Sequence, residues 1–258
     1  MGCRLKPQRC VILAAGMARR LQPLTDYTPQ CLLDVQGKPL LQRMLETLFS
    51  AGIEDAALVV GFQSELIRFF VKNKFPLKKI RFIFNPKYDT TNNAFSLLLA
   101  KRYVLDSRGE FSNRILLLDS DILFGPALLL NFLESASEEA IAVRVQGVHE
   151  EEEIRVDVNS HSEVLKIGKD VPMDLTCGES IGMASFSPAG TEQLFSVLNS
   201  RICNGAGRTE FYEASFQALI EKGVRITAVD VGKQPVLDID TPEDYDRALR
   251  MCRRDEIK

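Results

Sequence analysis

The chain has 258 residues, 45% hydrophobic and 26% charged, the balance of an ordinary globular protein. Its net charge of −3 gives no electrostatic reason to expect nucleic-acid binding, and no apolar run approaches the ~20 residues that span a bilayer, so no membrane insertion is expected. Six cysteines with no CxxC pair, beside only two histidines, argue against zinc and for reduced thiols in a cytoplasmic protein. The opening MGCRLKPQRC has no apolar signal core, and Lys6 stands where myristoylation would need Ser or Thr.

In chain order, CVILA (10–14), DAALVV (55–60), KIRFIF (79–84) and RILLLD (114–119) read as buried strands. Between them, PLLQRMLETLFSAG, SELIRFFVKN and NAFSLLLAKRYV space apolar residues three and four apart, as helices do. The alternation predicts an α/β fold with a doubly wound, mostly parallel, Rossmann-like sheet. Beyond about residue 138, IAVRVQGV, IRVDV and EVLKIG are closely spaced β-like runs, predicting a small antiparallel insertion over about 139–186 that ends in the strand ESIGMASF. PAGTEQLFSVLNS and TEFYEASFQALIEKG read as helices, ITAVDV (226–231) as a strand, and TPEDYDRALRMC as a closing helix capped by Thr241 with Pro242 at its first position. Glu150–Glu153 reads as a solvated turn. No repeat or low-complexity linker interrupts the chain, so one domain over 1–258 is expected.

Ligands of such sheets gather at the carboxyl ends of the strands, where Gly16, Asn85 and Asp119–Asp121 fall. The loop after the first strand lacks GxGxxG and GxxxxGK[ST], which disfavours a dinucleotide site and excludes a P-loop. Gly16 allows close backbone approach to a phosphate, with Arg19 and Arg20 as candidate charges; the plainer reading is a surface loop with solvated arginines.

LAAGMARRLQPLTDYTPQCLLDVQGKPLL (13–41) resembles the signature of nucleotidyltransferases that join a nucleoside triphosphate to a phosphorylated small molecule. LLLDSDILF (116–124) resembles that family's metal-binding aspartate segment, and VLDIDTPEDY (236–245) its C-terminal acidic segment. TTNNAFSLLLA (90–100) is similar to the phosphocholine and aminoethylphosphonate cytidylyltransferase branch rather than to sugar-phosphate enzymes.

The resemblance implies CTP as donor and a small phosphorylated or phosphonate acceptor. Leu13 to Arg19 (with Ala14, Ala15, Met17 and Ala18), Asn92, Asn93, Ser96 and Asp119 would meet the nucleotide. Asp121 and Asp240 would hold Mg2+, as hard oxygen ligands suit it. Lys169, in KIGKD, would meet the acceptor's phosphate, and Glu179, Gly182, Tyr212 and Glu213 would line its pocket. The plainer readings are helix-capping aspartates, a capping Asn92 or Asn93, a core Tyr212 and a solvated Glu213. Strand alternation places Asp119 with Asp121, and Asp238 with Asp240.

Arg20, Gln30 and Lys169 are the catalytic candidates. Gln30 is the departure, because the family's Thr-Pro is usually followed by a lysine that reaches the phosphates. A glutamine there implies a slow enzyme, one compensated by Arg19 or Lys38, or a silent nucleotide-binding regulator. With no tryptophan for an aromatic cage, a quaternary amine would rely on Tyr88, Phe211 and Tyr212, whereas a primary amine could be held by Glu179 or Glu213. Sugar and inositol phosphates stand as further acceptors.

Overall fold

The expected alternation of strands and helices is present throughout the computed structural model, which describes residues 7–145, 153–254 and 257. The first strand, β1 (Arg9–Ala14), is followed by the two-residue strands β2 (Asp34–Val35) and β3 (Lys38–Pro39), α1 (Leu40–Ser50), β4 (Asp55–Val60), α2 (Ser64–Lys74) and β5 (Lys79–Phe84). Next come α3 (Asn93–Leu99), α4 (Lys101–Val104), β6 (Ile115–Asp119), β7 (Ile122–Phe124) and α5 (Pro126–Ser135). The second half holds β8 (Ala140–Arg144), β9 (Arg155–Val158), β10 (Val164–Gly168), β11 (Gly178–Phe186), α6 (Pro188–Cys203), α7 (Glu213–Glu221), β12 (Thr227–Asp230), β13 (Val236–Asp238) and α8 (Pro242–Arg253).

The main sheet runs β10-β9-β11-β6-β1-β4-β5, with β8 and β12 attached beside β11. Strands β6, β1, β4 and β5 are mutually parallel, while β11 runs antiparallel to β6. Alternation along β1 divides the core. Cys10, Ile12 and Ala14 pack with α1, α2 and α5 on one face, while Val11 and Leu13 pack with α3, α6 and α7 on the other. A separate two-stranded ribbon, β7 with β13, packs with α8 around Leu21, Leu123, Leu237 and Ile239. Thr241 and Asp244 form a reciprocal capping box at the start of α8.

Four expectations change. KIRFIF is the sheet's edge strand rather than a buried one, and Phe84 stays 47% exposed. The helix expected over 93–104 breaks at Ala100, whose ψ of −5° tightens the turn. The helix expected from Thr209 begins at Glu213, because the backbone of Tyr212 is held by Asn93 instead. The strand expected over 141–148 ends at Arg144, and residues 146–148, like most of the Glu150–Glu153 turn, lie outside the described residues. Among the described residues, no helix is long and apolar enough to cross a membrane.

Candidate active site

At the carboxyl ends of β1 and β6 the sheet opens into a cleft of about 420 Å³, within the range of ~300–1,000 Å³ usual for small-molecule sites. Its floor is the end of β1. Leu13 and Ala15 face the cleft, whereas Ala14 turns by strand alternation into the core beneath α1. A Cβ at Gly16 would meet no protein atom within 4 Å, so this backbone fronts open space where a ligand can approach.

Ala18 then adopts a left-handed conformation (φ 46°), and its carbonyl accepts the Thr25 hydroxyl at 2.9 Å and the Leu21 N–H at 3.0 Å. The resulting 3-10 turn separates the paired arginines. Arg20 enters the cleft and reaches Asp240 at 2.8 Å, while Arg19 stays exposed against the Met17 sulfur. Ala14, Met17, Ala18 and Arg19 therefore shape the loop and do not line the cleft. Lys38 pairs with Glu46 at 2.9 Å and, like Arg19, lies off the cleft.

The acidic side comes from two distant segments. Asp119 ends β6 and Asp121 sits in the following turn; Asp238 ends β13 and Asp240 lies just beyond it. Asp238 is paired opposite Ile122, and the Ile239 N–H donates to the Asp121 carbonyl at 3.1 Å, which fixes the segments side by side. All four carboxylates line the cleft, although Asp121 does so from a turn, where strand alternation does not operate. Burial, then the charge of Asp240, pushes Asp121 up to about 7. Burial, then Asp121, pushes Asp238 up to about 8. Asp119 is raised well above the usual carboxylate range by burial, then by Asp121 and Glu213.

Crowded anionic oxygens of this kind fit a divalent cation. Among the described residues, no three acidic, histidine or cysteine side chains are arranged to hold a metal alone. A hard cation on Asp121 and Asp240 would need ligand oxygens and water to complete its shell, which suits magnesium.

The same cleft holds the acceptor candidates Lys169, Glu179, Gly182 and Glu213. Lys169 follows β10 and lies 5.1 Å from the centre of the Phe211 ring, a cation–π distance. Its carbonyl is gripped by the Arg155 guanidinium, which also donates to the Val171 carbonyl at 2.8 Å. Glu213, at the start of α7, is 4% exposed, and its Oε2 has no hydrogen-bond partner among the described residues. Burial is the main cause that pushes it up to about 7. Gly182 has φ +66°, and a Cβ there would sit 2.8 Å from an Asp119 oxygen, so glycine is required on both counts.

Two acceptor candidates are engaged with other side chains. Glu179 is ion-paired with Arg144; burial and Glu153 push its pKa up while the guanidinium opposes them. It lines the cleft, but its charge is engaged. Tyr212 is buried, its hydroxyl donating to Asp119 at 2.7 Å and its N–H to the Asn93 side chain at 2.9 Å, so it braces the site from behind. Asn92, Asn93 and Ser96 all line the cleft; Asn92 also caps α3, and Ser96 accepts from Asn85 at 3.0 Å. Sequence reasoning missed Arg144 and Arg247. No motif marks Arg144, but Arg247 falls three residues after Asp244 on α8, where the face shared with the acidic segment was open to inference.

The raised carboxylates set a pH dependence. Glu213 has a reference value of 4.5 and a folded value of about 7, so its contribution to stability is complete below 4.5 and is lost as pH rises through 7. Asp238 has the same sign, between 3.8 and about 8. The ligand-free thermal midpoint is expected to fall by ~5 °C or more between pH 5 and pH 8 by calorimetry, and Glu213→Gln should flatten part of that fall. A midpoint that rises across this range would show these carboxylates charged and paired instead.

An open α/β sheet brings an arginine and paired carboxylates together in one cleft at its strand ends. The family model described as nucleotidyl transferase matches residues 9–156, and the chain belongs to that family. Similar proteins include the choline-phosphate cytidylyltransferase of Streptococcus pneumoniae, 26% identical over 241 residues, 92% of this chain and 95% of that one. The CMP-5'-(3-aminopropyl)phosphonate synthase of Streptomyces rubellomurinus is 32% identical over 136 residues, 53% of this chain but only 20% of that longer protein. The inositol-1-phosphate CTP transferase from T. maritima shares the fold, with a TM-score of 0.79 at 21% identity, covering 95% of this chain and 96% of that one.

Proposed function

We propose that the chain is a cytidylyltransferase that couples CTP to a small acceptor bearing a phosphate or phosphonate and an amine, releasing pyrophosphate. The observation that carries this reading is one cleft that gathers Arg20, Asp121 and Asp240 with Lys169 and Glu213, whose Oε2 has no hydrogen-bond partner among the described residues. A cation and a carboxylate together match an acceptor that is anionic at one end and ammonium at the other. Cytidylyl relatives with choline-phosphate and aminopropylphosphonate in their names favour the same donor and acceptor class.

In the reaction, an acceptor oxyanion attacks the α-phosphorus of CTP, a new P–O bond forms, the bond to the β-phosphate oxygen breaks, and pyrophosphate leaves with that electron pair. The oxyanion is already nucleophilic, so no general base is needed. Arg20 would hold phosphate oxygens on the leaving side, Lys169 would draw in the acceptor's anion, and Glu213 would orient its ammonium group. Magnesium held by Asp121 and Asp240 would neutralise phosphate charge as the bond breaks.

The test is pyrophosphate release from CTP and magnesium with phosphocholine, phosphoethanolamine, 2-aminoethylphosphonate, and sugar and inositol phosphates. Turnover is expected with an amine-bearing acceptor. Turnover confined to inositol or sugar phosphates would replace the acceptor class. Calorimetric binding of CTP with no turnover on any acceptor would make the chain a silent nucleotide-binding regulator, the reading that Gln30 motivates.

A further inference from the structure

Gln30 lines the cleft, yet its side chain is already committed. It opens a 3-10 turn (Gln30–Leu32) whose neighbours Cys31 and Leu33 are buried, so the root of the side chain is fixed. Its amide nitrogen donates to the carbonyl of Ile239 at 2.5 Å, across 209 positions of sequence. Ile239 is wholly buried, and its own N–H donates to the Asp121 carbonyl at 3.1 Å. One backbone residue is thus held from both sides: by the segment carrying Asp121, and by Gln30.

We propose that Gln30 is a positioning residue, which fixes Ile239 and through it the spacing of Asp121 and Asp240. The ladder of β13 with β7 ends at the pair Asp238–Ile122, so Asp240 lies beyond the last strand pairing. Asp240 is also restrained by a 3.3 Å bond from its N–H to Asp244 and by the ion pair with Arg20. The Gln30 bond acts where the ladder stops. An amide suits this task, because its N–H donates to the Ile239 carbonyl. The inference rests on Asp121 and Asp240 as the cation-holding pair, but the tether can be measured without turnover.

The test uses Gln30→Met, which has no donor, and Gln30→Glu, whose carboxylate cannot donate and which changes charge in the opposite sense from lysine. Hydrogen exchange at the Ile239 amide is read in the ligand-free protein, and magnesium binding in the presence of CTP is read by calorimetry. The tether predicts exchange at Ile239 faster by roughly three- to tenfold in both variants, and magnesium binding weaker by a similar factor in Gln30→Met. Should Gln30→Met fold poorly, exchange in Gln30→Glu decides alone. Unchanged exchange in both variants overturns the proposal; a lower kcat beside it would mean the amide meets substrate directly. Faster exchange with unaltered magnesium binding also overturns it, because Ile239 would then move without disturbing the acids. Undetectable CTP binding in the wild type with faster exchange in the variants would sink the cytidylyltransferase reading and spare the tether.

Discussion

Replacing Asp121 by alanine is expected to lower magnesium-dependent turnover by about 10³-fold, the scale of losing a preorganised electrostatic contact to developing charge. The fold should survive. Asp121 is held up near 7 by burial and by Asp240, and it raises Asp119 and Asp238 in turn, so its removal relieves repulsion in the ligand-free protein. The thermal midpoint without magnesium should therefore hold or rise while activity collapses. Asp240→Ala should show the same loss of rate, with a smaller gain in stability because Arg20 loses its partner at 2.8 Å. Either variant turning over at the wild-type rate with saturating magnesium would remove that aspartate from the metal site.

Lys169→Ala is expected to raise the KM for the acceptor by roughly 10- to 100-fold and to leave the KM for CTP within about threefold, because the contact proposed for it with the acceptor anion would be made before and throughout the reaction. The backbone at this position is held independently by Arg155, so truncating the side chain should not move the loop. Steady-state kinetics with each substrate varied in turn separates the two constants. A weakened CTP constant with an unaltered acceptor constant would exchange the two subsites. Conservative replacement by arginine should recover only part of the loss, since a guanidinium is broader than an ammonium group and the Phe211 face limits its placement.

The order of strands and helices was legible because apolar periodicity is local, and so was the N-cap at Thr241, a signal carried by neighbouring residues. The arrival of Asp121 and Asp240 in one cleft was legible only through resemblance, since nothing local in either segment points to the other. What stayed hidden was how each side chain is spent. Glu179 reads as an open carboxylate until Arg144, on a neighbouring strand, is seen to pair with it. Tyr212 reads as a pocket residue until its hydroxyl is found on Asp119. Gln30 raised the question of what charge was missing, and the structure shows a donor in use. These are long-range pairings between polar groups, whose partners no periodicity reveals.

The ribbon of β7 and β13 has a consequence for how the protein comes to be active. Its second strand is the last among the described residues, and its pairs with β7 join positions more than 110 residues apart. Contacts of such separation carry a large loop-closure cost and tend to form late. The parallel core of β1, β4 and β6 has no need of the ribbon for its own hydrogen bonds. A refolding chain should therefore regain most of its sheet before it regains any affinity for a divalent cation. Binding of the proposed divalent cation would then report the final closure of the chain on itself.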